Sequence, residues 1–266
     1  MITTILSCLL CAVIGYTFGA FPTGYFAGKL WNVDVRRHGS GRTGGTNVLR
    51  SAGWGAFSIT VVGDVLKGTL AVLLVRFLFP DLHDAHAAAV LGTLIGHNWS
   101  VWIAMLAKPD PRITYAAPPL GWIQRVVQQG RGGAGVATTV GAVAGLFPPV
   151  FIAVPIPLLV LLIWQYASLA SLTVAALFPI LMLYFCGVGD APWSYFVLAV
   201  AVCIIIVIVH KPNIERLRTG TEKKFGQRLG QRNRNPSRGV LTCPANRAKI
   251  PVCSVRSALL HQPRSG

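Results

Sequence analysis

Acidic side chains are scarce in this 266-residue chain: 8 Asp and Glu stand against 24 Lys and Arg, and charged residues of both signs make up only 12% of it. A soluble domain carries about a quarter charged residues, so that class is excluded. The 6 cysteines, Cys8, Cys11, Cys186, Cys203, Cys243 and Cys253, lack the spacing of a zinc site or a disulfide framework and read as free thiols. There is no Gly-x-Ser-x-Gly elbow, and no internal repeat of the kind that builds many secondary transporters. No basic segment precedes the apolar start, and Met1 to Ala20 runs directly into Phe21-Pro22-Thr23-Gly24. It is therefore expected to be a retained helix rather than a cleaved signal.

What the chain has instead is hydrophobicity: 53% apolar residues and a mean hydropathy of +0.58. Apolar runs fall at 2–29, 54–79, 86–107, 136–152, 154–169, 170–188 and 193–209, several of them near the ~20 residues that cross a bilayer core. They predict an all-α, polytopic membrane protein of about seven transmembrane helices. The count becomes six if the prolines at 148–149 and 155–157 kink one span instead of separating two. Basic residues then set orientation, because short Lys- and Arg-rich loops stay cytoplasmic. Arg36, Arg37, Arg42 and Arg50 follow the first run, Lys108, Arg112, Arg125 and Arg131 the third, and Lys211, Arg216, Arg218, Lys223 and Lys224 the last, with Asp81, Asp84 and Asp190 between. The N-terminus is expected outside and the C-terminus inside, an arrangement that an odd number of spans satisfies.

The net charge of +16 lies largely in these loops and in the tail, where anionic membrane lipid is the nearer partner and nucleic acid is not expected. Residues 1–226 are read as the membrane domain. The basic stretch 227–266 is polar and aperiodic, with too little apolar surface to order itself, and is read as a disordered tail.

Polar residues punctuate the apolar pattern at a few places. His38-Gly39-Ser40-Gly41-Arg42-Thr43-Gly44-Gly45-Thr46-Asn47-Val48-Leu49-Arg50 combines glycines, hydroxyls and guanidinium groups, the components of a phosphate grip. Asp64 and Lys67, three apart within the second run, can neutralise each other on one helix face. Either they only fix helix packing or they belong to a site; in both cases their face should point inward. His97 stands in the third run, and Gly130-Arg131-Gly132-Gly133-Ala134-Gly135-Val136-Ala137-Thr138-Thr139 opens onto an apolar helix whose N-terminus could hold an anion. After the last run, His210, Asn213 and Arg216 share one side of a short helix begun at Pro212. All three loops fall on the expected cytoplasmic side.

Taken together, these segments resemble the bacterial acyl-phosphate:glycerol-3-phosphate acyltransferase family over most of residues 12–226. The likeness rests on Gly19-Ala20-Phe21-Pro22-Thr23-Gly24-Tyr25, the 38–50 loop, Asp64 with Lys67-Gly68, Gly96-His97, Gly135-Val136-Ala137-Thr138, Tyr166 with Ser168-Leu169-Ala170-Ser171, and His210 to Glu222. The resemblance implies a seven-helix protein of the bacterial plasma membrane with a cytoplasmic-facing site. It also implies an acyl-phosphate donor, glycerol 3-phosphate as acceptor, and no metal or other cofactor.

Site residues follow from the same likeness. Ser40 and Arg50 match phosphate-contacting positions, and His210 and Asn213 match positions of the C-terminal motif. Thr46, Asn47, Lys67, Gly133, Gly135, Thr138, Ser168 and Glu222 complete the expected substrate-binding set, with His97, His210 and Arg131 as the catalytic candidates. Several positions depart from the family pattern. Arg42 stands where Asn is common, and Ala134 replaces the lysine of a usual Gly-Gly-Lys-Gly, a loss that Arg131 is expected to cover. Ser100 replaces a frequent proline, Gln165 a frequent arginine, and 108–130 is an insertion in which Trp122, Ile123, Val126 and Val127 suggest an interfacial amphipathic turn or two.

The implied reaction is attack of the primary hydroxyl of glycerol 3-phosphate on the acyl-phosphate carbonyl. Ser40 has no discernible base and orienting acid beside it, which speaks against an acyl-enzyme. An alternative from another class is a transporter or flippase for an anionic lipid, which calls for polar groups in both membrane halves; a homologue kept for a structural role is a third.

Overall fold

The computed structural model describes residues 2–108 and 113–227; Met1, Arg112 and the expected tail beyond Gln227 lie outside them. Among the described residues the chain is helical, with one isolated bridge between Trp99 and Arg131. The order is α1 (Ile2–Ala20), α2 (Thr23–Leu30), α3 (Gly45–Ala52), α4 (Trp54–Leu78), α5 (His83–Asn98), α6 (Val101–Leu106), α7 (Leu120–Gln129), α8 (Val136–Leu146), α9 (Pro155–Trp164), α10 (Ala167–Gly187), α11 (Trp193–Val209) and α12 (Lys211–Arg218).

Two expected runs are broken at their inner ends. The first stops at Ala20, where Pro22 cannot continue the hydrogen-bond ladder, and restarts as α2; the third stops at Asn98 and restarts as α6 behind Ser100, whose hydroxyl caps the new helix by accepting from Ile103 N at 3.2 Å. The two breaks are laced together: Ser100 donates to the Ala20 carbonyl at 2.5 Å, and Tyr16 donates to the Trp99 carbonyl at 3.0 Å. Three segments, 2–30, 54–78 and 167–187, are long and apolar enough to span a bilayer, and α11 with α12 makes a fourth bent by 60°. Helices α5, α8 and α9, with 16, 11 and 10 residues, are shorter than a span needs.

The direction of each helix is nevertheless fixed by its contacts. Helices α1 and α5 run parallel, pairing Gly15 with Ala89 and Gly19 with Thr93; α4 and α8 run parallel to each other, pairing Asp64 and Gly68 with the Thr138 turn and Val72 with Gly145. The ends of α1, α5, α9 and α11 and the starts of α4, α8 and α10 therefore gather at one end of the bundle.

The packing is that of helices in lipid, where close approach of backbones replaces a hydrophobic driving force. The outer side of α1 carries exposed Ile5, Leu6, Leu9 and Val13, while its buried side presents Cys11, Gly15 and Gly19. A Cβ on Gly15 or Gly19 would lie 2.1 Å from a carbonyl oxygen of α5, and one on Gly92 or Gly96 within 2.2 Å of a carbonyl oxygen of α1. Two small-x-x-x-small faces are thus seated reciprocally. The insertion forms α7, with Trp122, Ile123 and Val127 exposed and Arg125 stacked on Trp122 at 5.2 Å, a helix of the expected interfacial character.

Candidate active site

The inner polar end has two layers. The deeper one is built on α4: Asp64 accepts from Lys67 Nζ at 2.9 Å and from the Thr23 hydroxyl, and its Oδ1 is 3.6 Å from His97 Nδ1. Lys67 also donates to the Phe21 carbonyl at 2.8 Å, a group freed by the break before Pro22, and His97 Nδ1 meets the Thr138 hydroxyl at 2.9 Å. Asp64, Lys67, His97 and Thr138 are buried. Lys67 and Thr138, expected on substrate, lie in this buried cluster, where the Lys67 charge has Asp64 as its partner. His97 is likewise enclosed, with Gly133 packed so closely on it that a Cβ there would lie 2.4 Å from Nε2. This sets the catalytic candidate His97 directly against the second glycine loop.

The shallower layer is made of loops. In the first, the Asn47 amide donates to the carbonyls of Val35, His38 and Arg42 at 3.0, 3.0 and 2.8 Å, and its Oδ1 accepts from Ser40 N at 3.2 Å. Asn47, expected on substrate, thus uses its amide N–H groups to hold the loop's own carbonyls, while Oδ1 keeps a second acceptor site. Asp34 caps the preceding turn and pairs with Arg36 at 2.9 Å and Arg37 at 3.7 Å; the Arg36 guanidinium holds its carboxyl below the usual range. The Arg36 charge is thereby neutralised. Ser40 is exposed, Thr46 is half-buried in the first turn of α3, and Arg50 closes that helix, giving one Nη2 bond to the Lys223 carbonyl at 3.0 Å while its Nε is buried without a partner among the described residues.

The C-terminal motif is organised by Glu222, whose side chain is 5% exposed and accepts from Ser168 and Asn213 at 3.1 Å each and from Arg216 at 2.7 Å. Ser168 and Asn213, expected on substrate together with Glu222, are joined by that carboxylate in a clamp between α10 and α12. His210 is buried and gives its Nδ1–H to the Ile206 carbonyl at 2.8 Å, which leaves Nε2 as the acceptor of the neutral ring. Burial pushes its pKa below the usual value of 6.5, with Arg42 adding to the shift and the Ile206 bond opposing it.

The layers meet where the two glycine loops touch. A Cβ on Gly44 would lie 2.9 Å from Gly133 Cα, and Gly135 adopts a φ of +81°, a left-handed turn in which a Cβ would also strike Leu94. Gly44 and Gly135 begin α3 and α8, and neither helix start has a side-chain cap. Uncapped N–H groups from two helices thus adjoin, an anion-binding arrangement. Around them stand Arg42, Arg50, Arg131 and Arg216. Burial and the fields of Arg131 and Arg216 lower the Arg42 pKa, and burial lowers that of Arg50 against the opposing pull of Glu222. Asn98, between the two layers, has both amide atoms buried without a hydrogen-bond partner among the described residues; its place beside His97 in sequence gave no sign of this. An apolar cleft starts from Thr139 in the first turns of α8 and runs past Val143, Phe151, Pro157, Phe178 and Ile206.

Comparison with known proteins accords with this arrangement. Residues 9–220 match the family model described as glycerol-3-phosphate acyltransferase. The chain is 36% identical over 222 residues to glycerol-3-phosphate acyltransferase 2 of Moorella thermoacetica, covering 83% of this chain and 98% of that one. It is 37% identical to the glycerol-3-phosphate acyltransferase of Parasynechococcus marenigrum, covering 86% and 94%. Among solved structures it is similar to PlsY (YgiH), an integral membrane glycerol 3-phosphate acyltransferase, in its glycerol 3-phosphate form (TM-score 0.64, 29% identity, 82% of this chain and 96% of that one) and its lysophosphatidic acid form (TM-score 0.63, 28% identity). With helices, glycine loops and cationic end in place, the chain belongs to the glycerol-3-phosphate acyltransferase family of integral membrane proteins.

Proposed function

We propose that this protein transfers an acyl group from acyl phosphate to the 1-hydroxyl of glycerol 3-phosphate in phospholipid synthesis, releasing phosphate and 1-acyl-glycerol 3-phosphate. The observation that carries the reading is the junction at Gly44 and Gly133, where two uncapped helix starts converge with Arg42 and Arg50, which have no carboxylate within ion-pair distance among the described residues. Such a junction suits two phosphates held side by side. An acyl phosphate is already activated, so the protein's work is to align donor and acceptor and to stabilise the oxyanion with backbone N–H groups and guanidinium charge. Arg50 and Ser40 hold the glycerol phosphate, and His210 accepts a hydrogen bond from a glycerol hydroxyl through Nε2. The donor phosphate lies on the 131–135 loop with its acyl chain in the adjoining cleft, and a phosphate oxygen takes the proton as the new ester forms. The basic loops support a cytoplasmic position for this end, at a bacterial plasma membrane crossed by seven helical segments in alternation.

Purified protein in lipid nanodiscs, given palmitoyl phosphate and glycerol 3-phosphate, should release phosphate and form the acylated product in equal amounts. Palmitoyl-coenzyme A should not substitute. Equal turnover with both donors would sink the donor assignment.

A further inference from the structure

Arg131 was the expected substitute for the missing lysine at 134, and the structure puts its side chain in solvent, on a residue tied by a backbone bridge to Trp99. A different residue reaches the loop. Arg42, half-buried in the first glycine loop, extends Nη1 to 3.5 Å from the Gly133 carbonyl, one residue before Ala134. It can do so because the Gly44 and Gly133 backbones touch, which brings a side chain two residues before Gly44 over the second loop. Among the described residues no carboxylate lies within ion-pair distance of Arg42. The neighbouring charges that act on it are Arg131 and Arg216, and it acts in turn on His97 and His210. A guanidinium taken partly out of water among other cations is unfavourable unless an anion completes the set.

We propose that Arg42 is the phosphate-binding cation of the second glycine loop, supplied from the first loop in place of a lysine at 134, and that its ligand is the phosphate of the acyl-phosphate donor. This rests on the acyltransfer reading above. Donor rather than acceptor follows from position: the Gly133 to Gly135 turn leads into α8 and the apolar cleft at Thr139, whereas Arg50 faces Lys223 and the Glu222 clamp. The asparagine and lysine of the usual pattern and the arginine and alanine of this chain then form one exchange: a cation removed from one loop and restored from the other.

The experiment compares wild type, Arg42→Asn, Arg42→Asn with Ala134→Lys, and Arg131→Ala. Arg42→Asn should raise the KM for palmitoyl phosphate about tenfold or more while the KM for glycerol 3-phosphate stays within about twofold, the scale of one lost charge-assisted hydrogen-bond pair. Adding Ala134→Lys should bring the donor KM back to within about threefold of wild type, and Arg131→Ala should raise it less than Arg42→Asn does. Inorganic phosphate should raise the Tm of wild type and of the double variant by more than that of Arg42→Asn, in which only the Arg50 site remains. An unchanged donor KM in Arg42→Asn, a donor defect confined to Arg131→Ala, or a phosphate shift in Tm that is undiminished in Arg42→Asn overturns the assignment. The Tm arm needs no turnover, so an inactive wild type would refute the acyltransfer reading while the phosphate shift still decides the place of Arg42.

Discussion

The charges around Asp64 and those around Arg42 share one end of the bundle and are arranged on opposite terms. At Asp64 each charge has a protein partner: Lys67 at 2.9 Å, the Thr23 hydroxyl, and His97 within 3.6 Å. At Arg42 and Arg50 the cations outnumber the carboxylates, since Asp34 is spent on Arg36 and Glu222 on Arg216. The first cluster is closed, and opening it should unfold the protein. The second is left unsatisfied, and altering it should spare the fold and harm the reaction. The difference separates residues that build the site from residues that use it, although all of them sit in or beside the same motifs.

The comparison breaks most visibly at Asp64. Asp64→Asn leaves the Lys67 charge buried without a counter-charge, a loss of about 3–5 kcal/mol in stability, and adding Lys67→Met should recover a large part of it because an apolar pair removes both desolvation costs. Thermal unfolding in detergent measures both, and a double variant no more stable than Asp64→Asn would show that the cluster is not closed. On the open side, Arg50→Lys and Arg50→Ala should each lower kcat/KM about tenfold or more, roughly 1.5–3 kcal/mol, with little change in Tm. Lysine fails there because it keeps the charge but loses the planar fork. Normal kinetics in both folded variants would reduce Arg50 to an orienting charge.

Smaller in size is the response to pH. The folded His210 ring titrates below 6.5, so it is neutral at pH 7 and gains a proton only as the pH falls through its lowered value. At that point Nε2 stops accepting. The same sign holds for stability: the unfolded chain binds the proton first, so this group costs stability as pH drops below 6.5. The kcat/KM profile should therefore decline on the acid side with an inflection below 6.5, and His210→Gln, which titrates no ring, should lose that component while keeping whatever fall the substrate phosphates impose. Identical acid limbs in the two proteins would remove His210 from the acceptor role. Least of all, Arg37→Lys, at an exposed side chain paired only with Asp34, should stay within about twofold of wild type.

Much of this was legible in the sequence. Glycines and arginines between apolar runs located all three loops, and the Asp64–Lys67 spacing foretold an internal pair. The length and hydropathy of 54–79 and 193–209 gave α4 and α11 to within a residue. What the sequence could not express was which polar groups had been spent. Asn47, Lys67, Thr138 and Ser168 carry the same side chains whether they face a ligand or a neighbour, and their partners Val35, Phe21, His97 and Glu222 are 12, 46, 41 and 54 residues away. The reach of Arg42 over Gly133, across 91 residues, was hidden for the same reason. The transporter alternative receded once the chain fell into the acyltransferase family.

The reciprocal seating of α1 and α5 has a mechanical consequence. Because each of Gly15, Gly19, Gly92 and Gly96 holds a backbone group of the facing helix where a side chain would stand, sliding either helix by one residue would drive a larger neighbour into a carbonyl. The pair has one register and behaves as a single strut, from which Ser100 and Tyr16 brace the loops above. On the acyltransfer reading proposed above, the two substrates have separate doors, water for the glycerol phosphate and the lipid flank for the acyl chain, with this post between them.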